Sequence, residues 1–142
     1  MRLGQWQEAD VLLRRLAEAG YRPWRGARLT SSLAYHRARC KLATGDRAAA
    51  RRLIRRALDE APGDVRPLAL AVAMGELVDN WAGGEQMRRQ MQRLHDPVTV
   101  DLAMAEAWYD VGRPGEGRWH ALRAAQAMVR MTASKGRYGD GP

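Results

Sequence analysis

Four groups of residues in this 142-residue chain have types and spacings that could do chemistry. His36 and Cys40 stand four apart, the spacing at which one helix presents two metal ligands on a shared face. No further Cys, His or carboxylate cluster completes a tetrahedral set, so an ordinary small buried thiol is the better reading. Glu106 and Asp110 share a helix face with Tyr109 beside them. Paired carboxylates do acid–base work when opposed across a substrate cleft, whereas neighbours on one helix more often make an acidic surface. Arg51, Arg52, Arg55 and Arg56 form two i,i+4 arginine pairs, a stripe that can grip phosphates with salt-sensitive affinity. Without interleaved aromatics for base stacking, sequence-specific RNA reading is disfavoured, and solvated charge on an outward helix face is the plainer account. His95 and His120 have no recognisable catalytic neighbours, and the chain lacks HExxH, GxSxG, GxGxxG and a phosphate-binding Gly-Lys-Ser/Thr loop. No nucleophile, base and orienting group converge, so the chain is expected to be non-enzymatic, with no metal and no cofactor.

Composition sets the frame for these residues. Hydrophobic content is 46% and charged content 28%, ordinary for a globular domain of this length. Phe is absent, so five Trp, four Tyr and seven Met supply the bulk. Ala, Leu and Arg dominate while β-branched residues are sparse, which favours helix over strand. The formal charge is +8, and only Lys41 and Lys135 among the 24 basic residues are lysines. Arginine's planar fork suits carboxylates and phosphates, which points to an acidic partner or nucleic acid; charges solvated on helix faces explain the excess more simply. Cys40 is the only cysteine, so nothing demands an oxidising compartment. No apolar run approaches a membrane span, and Glu8, Asp10, Arg14 and Arg15 interrupt the N-terminal stretch where a signal peptide would be apolar. Cytoplasmic residence is the expectation.

Seven helices are needed to position these groups. The first spans about 5–19, with Trp6, Ala9, Leu12, Leu13, Leu16 and Ala17 at helical spacing and Gly20 as a stop. After an irregular Tyr21–Ser32 segment, Thr30, Ser31 and Ser32 are candidate caps for a helix reaching Ala43. Gly45 turns the chain, Asp46 caps a third helix to Ala61, and Pro62-Gly63 ends it. Asp64 caps a fourth helix to about Val78, with Pro67 tolerated in its first turn. A fifth follows Ala82-Gly83-Gly84 and ends near His95. Asp96-Pro97 starts a sixth that reaches Val111, and Gly112 and Pro114 lead into a seventh ending near Met131. Gly45 to Asn80 and Pro62 to Pro97 are each 35 residues, a period of paired helices.

The unit Ser31–Asp64 carries small residues at Ala38, Ala50 and Ala57, a glycine at Gly45, a bulky apolar residue at Ile54 and a closing Pro62. In that pattern it resembles a tetratricopeptide repeat, with Lys41 standing where an aromatic is usual. The next unit keeps Asn80 and Pro97, but Glu85, Arg89 and Gln92 occupy sites the family fills with small or apolar residues. Either the register shifts across Gly83-Gly84 or this pair packs differently. The third unit matches at Ala105, Tyr109, Gly112 and Ala124, with Gly117 in place of alanine. The resemblance implies an all-α, right-handed stack of antiparallel helical hairpins over residues 1–133. Its opening helix is 5–19, its units lie near 31–64, 65–98 and 99–131, and a flexible tail occupies 134–142.

The resemblance also implies a concave groove lined by the first helix of each unit. Carried over, it comprises Ser32, Tyr35, Arg39 and Leu42, then Leu70, Met74 and Leu77, then Leu102, Glu106 and Tyr109. Leu70, Leu77 and Leu102 are better read as inter-helix packing. Such a groove, apolar with one positive and one negative handle, suits an amphipathic helix or an extended peptide. The carboxylate clamp of chaperone-binding members is not visible. The opening helix lacks a first-helix partner: either the chain is cut from a longer array, or its apolar face meets a partner or a second copy, or Tyr21–Arg28 covers it with Trp24. The function expected is therefore a non-catalytic protein-interaction module, such as an adaptor or chaperone-like subunit of a bacterial assembly or secretion system. The alternatives are an Arg-rich nucleic-acid binder and a non-catalytic piece of a larger enzyme.

Overall fold

Short-range chemistry sets most helix boundaries. The structure, a computed structural model, describes residues 3–18, 32–75 and 84–139. Among them are seven α-helices and no strand: α1 (Leu3–Glu18), α2 (Leu33–Ala43), α3 (Arg47–Glu60), α4 (Val65–Met74), α5 (Gly84–Leu94), α6 (Pro97–Asp110) and α7 (Pro114–Gly139). Ser32, Asp46, Asp64 and Asp96 cap α2, α3, α4 and α6, their side-chain oxygens accepting from the backbone N–H of Tyr35, Ala49, Arg66 and Thr99. Gly45 and Gly112 turn the chain at φ 89° and 84°, a backbone region costly for other residues. Asp79-Asn80 and the Tyr21–Arg28 segment lie outside the described residues.

One boundary differs. α7 continues to Gly139, past the Met131 stop and into the stretch expected to be a tail. The segment Thr132–Gly139 lacks apolar periodicity, but it holds no proline, and the helix formers Ala133, Lys135 and Arg137 offset Gly136.

The helices pair as hairpins. α2 packs on α3, α4 on α5, α6 on α7, and α1 on α2. Ala38, Ala50, Ala57 and Ile54 are fully buried, three small side chains admitting close approach and one filling the space left. The C-terminal end of α5 returns to the α3–α4 turn: Gln90 Nε2 donates to the Pro62 carbonyl at 3.3 Å, and His95 Nε2 lies 2.7 Å from that of Gly63. α1 is held by Asp10, which meets Lys41 Nζ at 2.8 Å and Arg37 Nε at 3.5 Å. Lys41, anomalous for the repeat pattern, thus has a local task. Leu12 and Leu16 on α1 remain exposed.

α4 explains the rest. Every residue from Pro67 to Met74 is buried, because LALAVAM is apolar around its whole circumference and must be covered on all sides. α3, α5 and α6 cover most of it. α2 and α6 also come into direct contact.

Candidate functional site

The side chains where α2 meets α6 include several of those expected to line the concave groove. Tyr35, on α2, donates from its hydroxyl to Glu106 Oε1 on α6. Arg66, from the first turn of α4, reaches the same oxygen through Nε at 2.9 Å and a terminal nitrogen at 2.7 Å. Its guanidinium also lies 4.8 Å from the Tyr35 ring centroid. One turn along both helices, Arg39 forms a bidentate pair with Asp110 at 2.7 and 3.2 Å. Both pairs are 71 residues apart, close to two 35-residue periods, and the common step of four means that α2 and α6 run in the same direction.

Several residues expected to line the concave groove are engaged with one another here. Tyr35, Arg39 and Glu106 share one face as expected; Glu106 is engaged by Tyr35 and Arg66, and Arg39 by Asp110. Met74 is buried in the core and Leu42 packs against it at partial exposure. Ser32 is committed to capping α2. Tyr109 stays exposed, Leu70 is buried as inter-helix packing, and Leu102, also expected to pack, is exposed. Leu77 lies outside the described residues. Arg39, Arg66 and Glu106 are half-buried, so this face stays partly open to solvent.

The network tunes its members. Burial pushes the Tyr35 hydroxyl far up, reinforced by its bond to Glu106. Burial alone would raise the Glu106 carboxyl, but hydrogen bonds from Tyr35 and Arg66 and the charges of Arg39 and Arg66 hold it below 4.5. Asp110 is raised above 3.8 by burial, which Arg39 only partly offsets. Burial, with Arg66 and Arg39 nearby, lowers His36 below its ordinary 6.5. A base whose folded value is depressed gives stability that is complete above its unfolded value and lost as pH falls. Urea midpoints are therefore expected to drop between about pH 7 and pH 5 for the wild type and to drop less for His36→Gln. Equal slopes would show that burial and the two arginines do not depress His36.

The other sequence candidates are placed apart. His36 and Cys40 share α2, but no group of three or more potential metal ligands exists among the described residues. On α3, Arg52, Arg55 and Arg56 are exposed, Arg51 is half-buried, and Arg56 pairs with Glu60 at 3.3 Å. Arg52 and Arg56 join Arg37, Lys41 and Asp46 around a concavity of about 360 Å³.

A larger cavity, about 580 Å³, opens between α5 and α7 with α6 as its floor. Its size falls in the range of ligand sites. Pro97, Val100, Met104 and Trp108 run along α6 as one stripe, and Met91 adds to it from α5. Arg88, Gln92 and His95 form the α5 wall; Glu116, Trp119, His120 and Arg123 form the α7 wall. The cleft has a sequence cause. α5 turns polar side chains such as Gln92 toward α7, where the repeat pattern calls for small ones, so the two helices stand apart. Glu85 and Arg89 pair with each other at 3.3 Å in solvent.

Sequence reasoning missed the cleft's polar base. Asp101 is buried, with Oδ1 2.8 Å from His120 Nδ1 and Oδ2 3.6 Å from Arg123 Nε. The Arg123 guanidinium lies 4.7 Å from the Trp119 ring centroid, and the His120 ring meets Trp119 edge-on at 4.8 Å. A signal existed: Asp101 is a carboxylate inside an apolar stripe, and such a group needs a partner. A hairpin centred on Gly112 places it opposite residues near 120.

Comparison with family models, curated proteins and solved structures gives no match. No helix among the described residues is long and apolar enough to cross a membrane. Fold and site together define an all-helical arrangement of seven described helices with a cleft between α5 and α7.

Proposed function

We propose that this chain is a non-catalytic protein-interaction module, a right-handed stack of helical hairpins of the tetratricopeptide type, that seats a segment of a partner protein in the α5–α6–α7 cleft. The cleft carries this reading: a cavity of about 580 Å³ with an apolar stripe at its floor and polar walls, the anatomy of an interface with an apolar core and polar rim. The 71-residue spacing of the α2–α6 pairs supports the repeat architecture. Asp101 orients His120 as a catalytic dyad would, but the described residues lining the cleft include no Ser, Thr or Cys nucleophile. Cytoplasmic action as an adaptor fits the single cysteine. The exposed Leu12 and Leu16 of α1 offer a further surface for self-association.

Trp119 is the test residue because it stands at the cleft wall yet is 54% exposed, so its removal spares the core. Partner captured from the native cell by the wild-type chain is expected to bind Trp119→Ala about 30-fold more weakly, the size of an aromatic hot spot. Leu102→Ala, exposed and outside the cleft lining, should bind as wild type. Undiminished capture by Trp119→Ala would remove the cleft from the mechanism. A second reading, nucleic-acid binding, rests on the Arg37, Lys41, Arg52 and Arg56 concavity. It requires salt-sensitive RNA or DNA affinity that Arg52→Glu abolishes and Trp119→Ala leaves intact.

A further inference from the structure

We propose that the concavity between α2 and α3 binds a phosphate group, held by Arg37 and Lys41 from one helix and Arg52 and Arg56 from the other. The site is separate from the α5–α6–α7 cleft and independent of the interaction-module reading. It goes beyond the nucleic-acid reading of this surface by naming the group recognised, whatever molecule carries it. Helical spacing builds the site. Arg37 and Lys41 stand one turn apart on α2, and Arg52 and Arg56 one turn apart on α3. The turn at Gly45 lays the two helices side by side, so cations from two directions line one space of about 360 Å³.

The pairing of these cations is incomplete. Asp10 on α1 divides its carboxylate between two of them: Oδ2 meets Lys41 Nζ at 2.8 Å, while Oδ1 stands 3.5 Å from Arg37 Nε. Neither Oδ1 nor that buried Nε makes a hydrogen bond among the described residues, and a buried donor left without an acceptor is costly. Arg52 is exposed and has no ion-pair or hydrogen-bond partner among the described residues. Arg56 pairs with Glu60 at 3.3 Å. Asp46, the one carboxylate of the described lining, accepts the Ala49 N–H through Oδ1 as the cap of α3. Set against Asp10, Asp46 and Glu60, the four cations still leave a positive charge, and Arg52 carries it.

Geometry selects phosphate over carboxylate. A carboxylate presents its two oxygens in one plane and is met well by a single guanidinium fork. A phosphate brings more negative charge and oxygens pointing in several directions, so it can accept from α2 and α3 at once. Trp, Tyr and His are absent from the described lining, so no ring there stacks on a base. Recognition therefore runs through the phosphate and is indifferent to what else the ligand carries. A nucleic-acid backbone and a free oligophosphate anion both supply that group.

The probe is inorganic pyrophosphate, titrated into the full chain by calorimetry. Wild type is expected to bind it, and Arg52→Gln to bind it at least about tenfold more weakly, as for loss of one charge-assisted contact. Arg52 is exposed, so this change spares the core. Arg118→Gln, exposed on α7 outside the concavity, removes the same charge and should stay within about twofold of wild type. Citrate, a carboxylate anion of similar charge, should bind at least about tenfold more weakly than pyrophosphate. A labelled single-stranded oligonucleotide of about fifteen nucleotides, followed by anisotropy, separates the two sources. Its displacement by pyrophosphate, with the same dependence on Arg52, assigns the site to a nucleic-acid backbone; binding insensitive to both assigns it to a free anion. Absence of pyrophosphate binding, equal losses in Arg52→Gln and Arg118→Gln, or equal affinity for citrate overturns the phosphate site. Each of these results leaves Trp119-dependent capture, and with it the module reading, as it stands.

Discussion

Glu106→Ala is expected to lower the unfolding free energy by about 2–3 kcal/mol, read from urea titration near neutral pH. One oxygen of Glu106 accepts from the Tyr35 hydroxyl and from two nitrogens of Arg66. Truncation leaves a fully buried phenol hydroxyl and a largely buried guanidinium without their acceptor, and such groups cost more unpaired than the bonds contributed when made. Tyr35→Phe removes one donor and leaves the Arg66–Glu106 pair standing, so about 1 kcal/mol is expected there. Acid provides an independent check. Glu106 is held below its ordinary 4.5, so its contribution is present above that value and lost as pH falls through the lower folded value. The gap between wild type and Glu106→Ala should therefore narrow in acid. A gap under about 0.5 kcal/mol at neutral pH would mean that packing on α4, and not the polar network, joins α2 to α6.

Gly117→Val is the second large effect, a loss of about 2–3 kcal/mol and a melting midpoint lower by about 10 °C. A Cβ built at Gly117 lies 2.9 Å from two Tyr109 ring carbons and 3.0 Å from the Ala105 carbonyl oxygen. Tyr109 is half-exposed and can swing aside, but the carbonyl belongs to the α6 backbone and moves only if α6 and α7 separate. Gly117→Ala should fall near neutral, because the helix-propensity gain of about 1 kcal/mol opposes the clash. Separation of α6 and α7 would also stretch the Asp101–His120 pair and shift Trp119, so the valine variant should lose cleft binding in proportion. Calorimetry of the two variants beside wild type is the check, and an unchanged midpoint for valine would show that close approach at residue 117 is not required.

These two residues mark how far the sequence could be read. Gly117 was visible as an odd glycine where the repeat pattern has alanine, and its cause, a backbone carbonyl at contact distance, belongs to the neighbouring helix. Glu106, Tyr35 and Arg39 were visible as residues of one face, because helical periodicity fixes which side chains share a side. That these side chains are paired could not be read, because pairing depends on how near two helices 71 residues apart come to rest. Arg66 shows the same limit. It sits in the first turn of α4, where local reading finds only the Asp64 cap, yet it supplies two of the bonds that tie the network together.

By itself the sequence determined what acts within about four residues: seven helices, four side-chain caps, the turns at Gly45 and Gly112, and the small residues at Ala38, Ala50 and Ala57 where helices meet. Backbone hydrogen bonding and capping are complete at that range, so neighbours in the chain suffice to decide them. The tertiary structure decided which faces stay open. α4 is apolar all round and had to be covered, and where α2 meets α6 several expected groove residues pair with one another. α5 carries polar side chains where small ones would let it approach α7, which left the cleft that the proposed partner fills. Both outcomes depend on total coverage of a core, a quantity that no single stretch of chain contains.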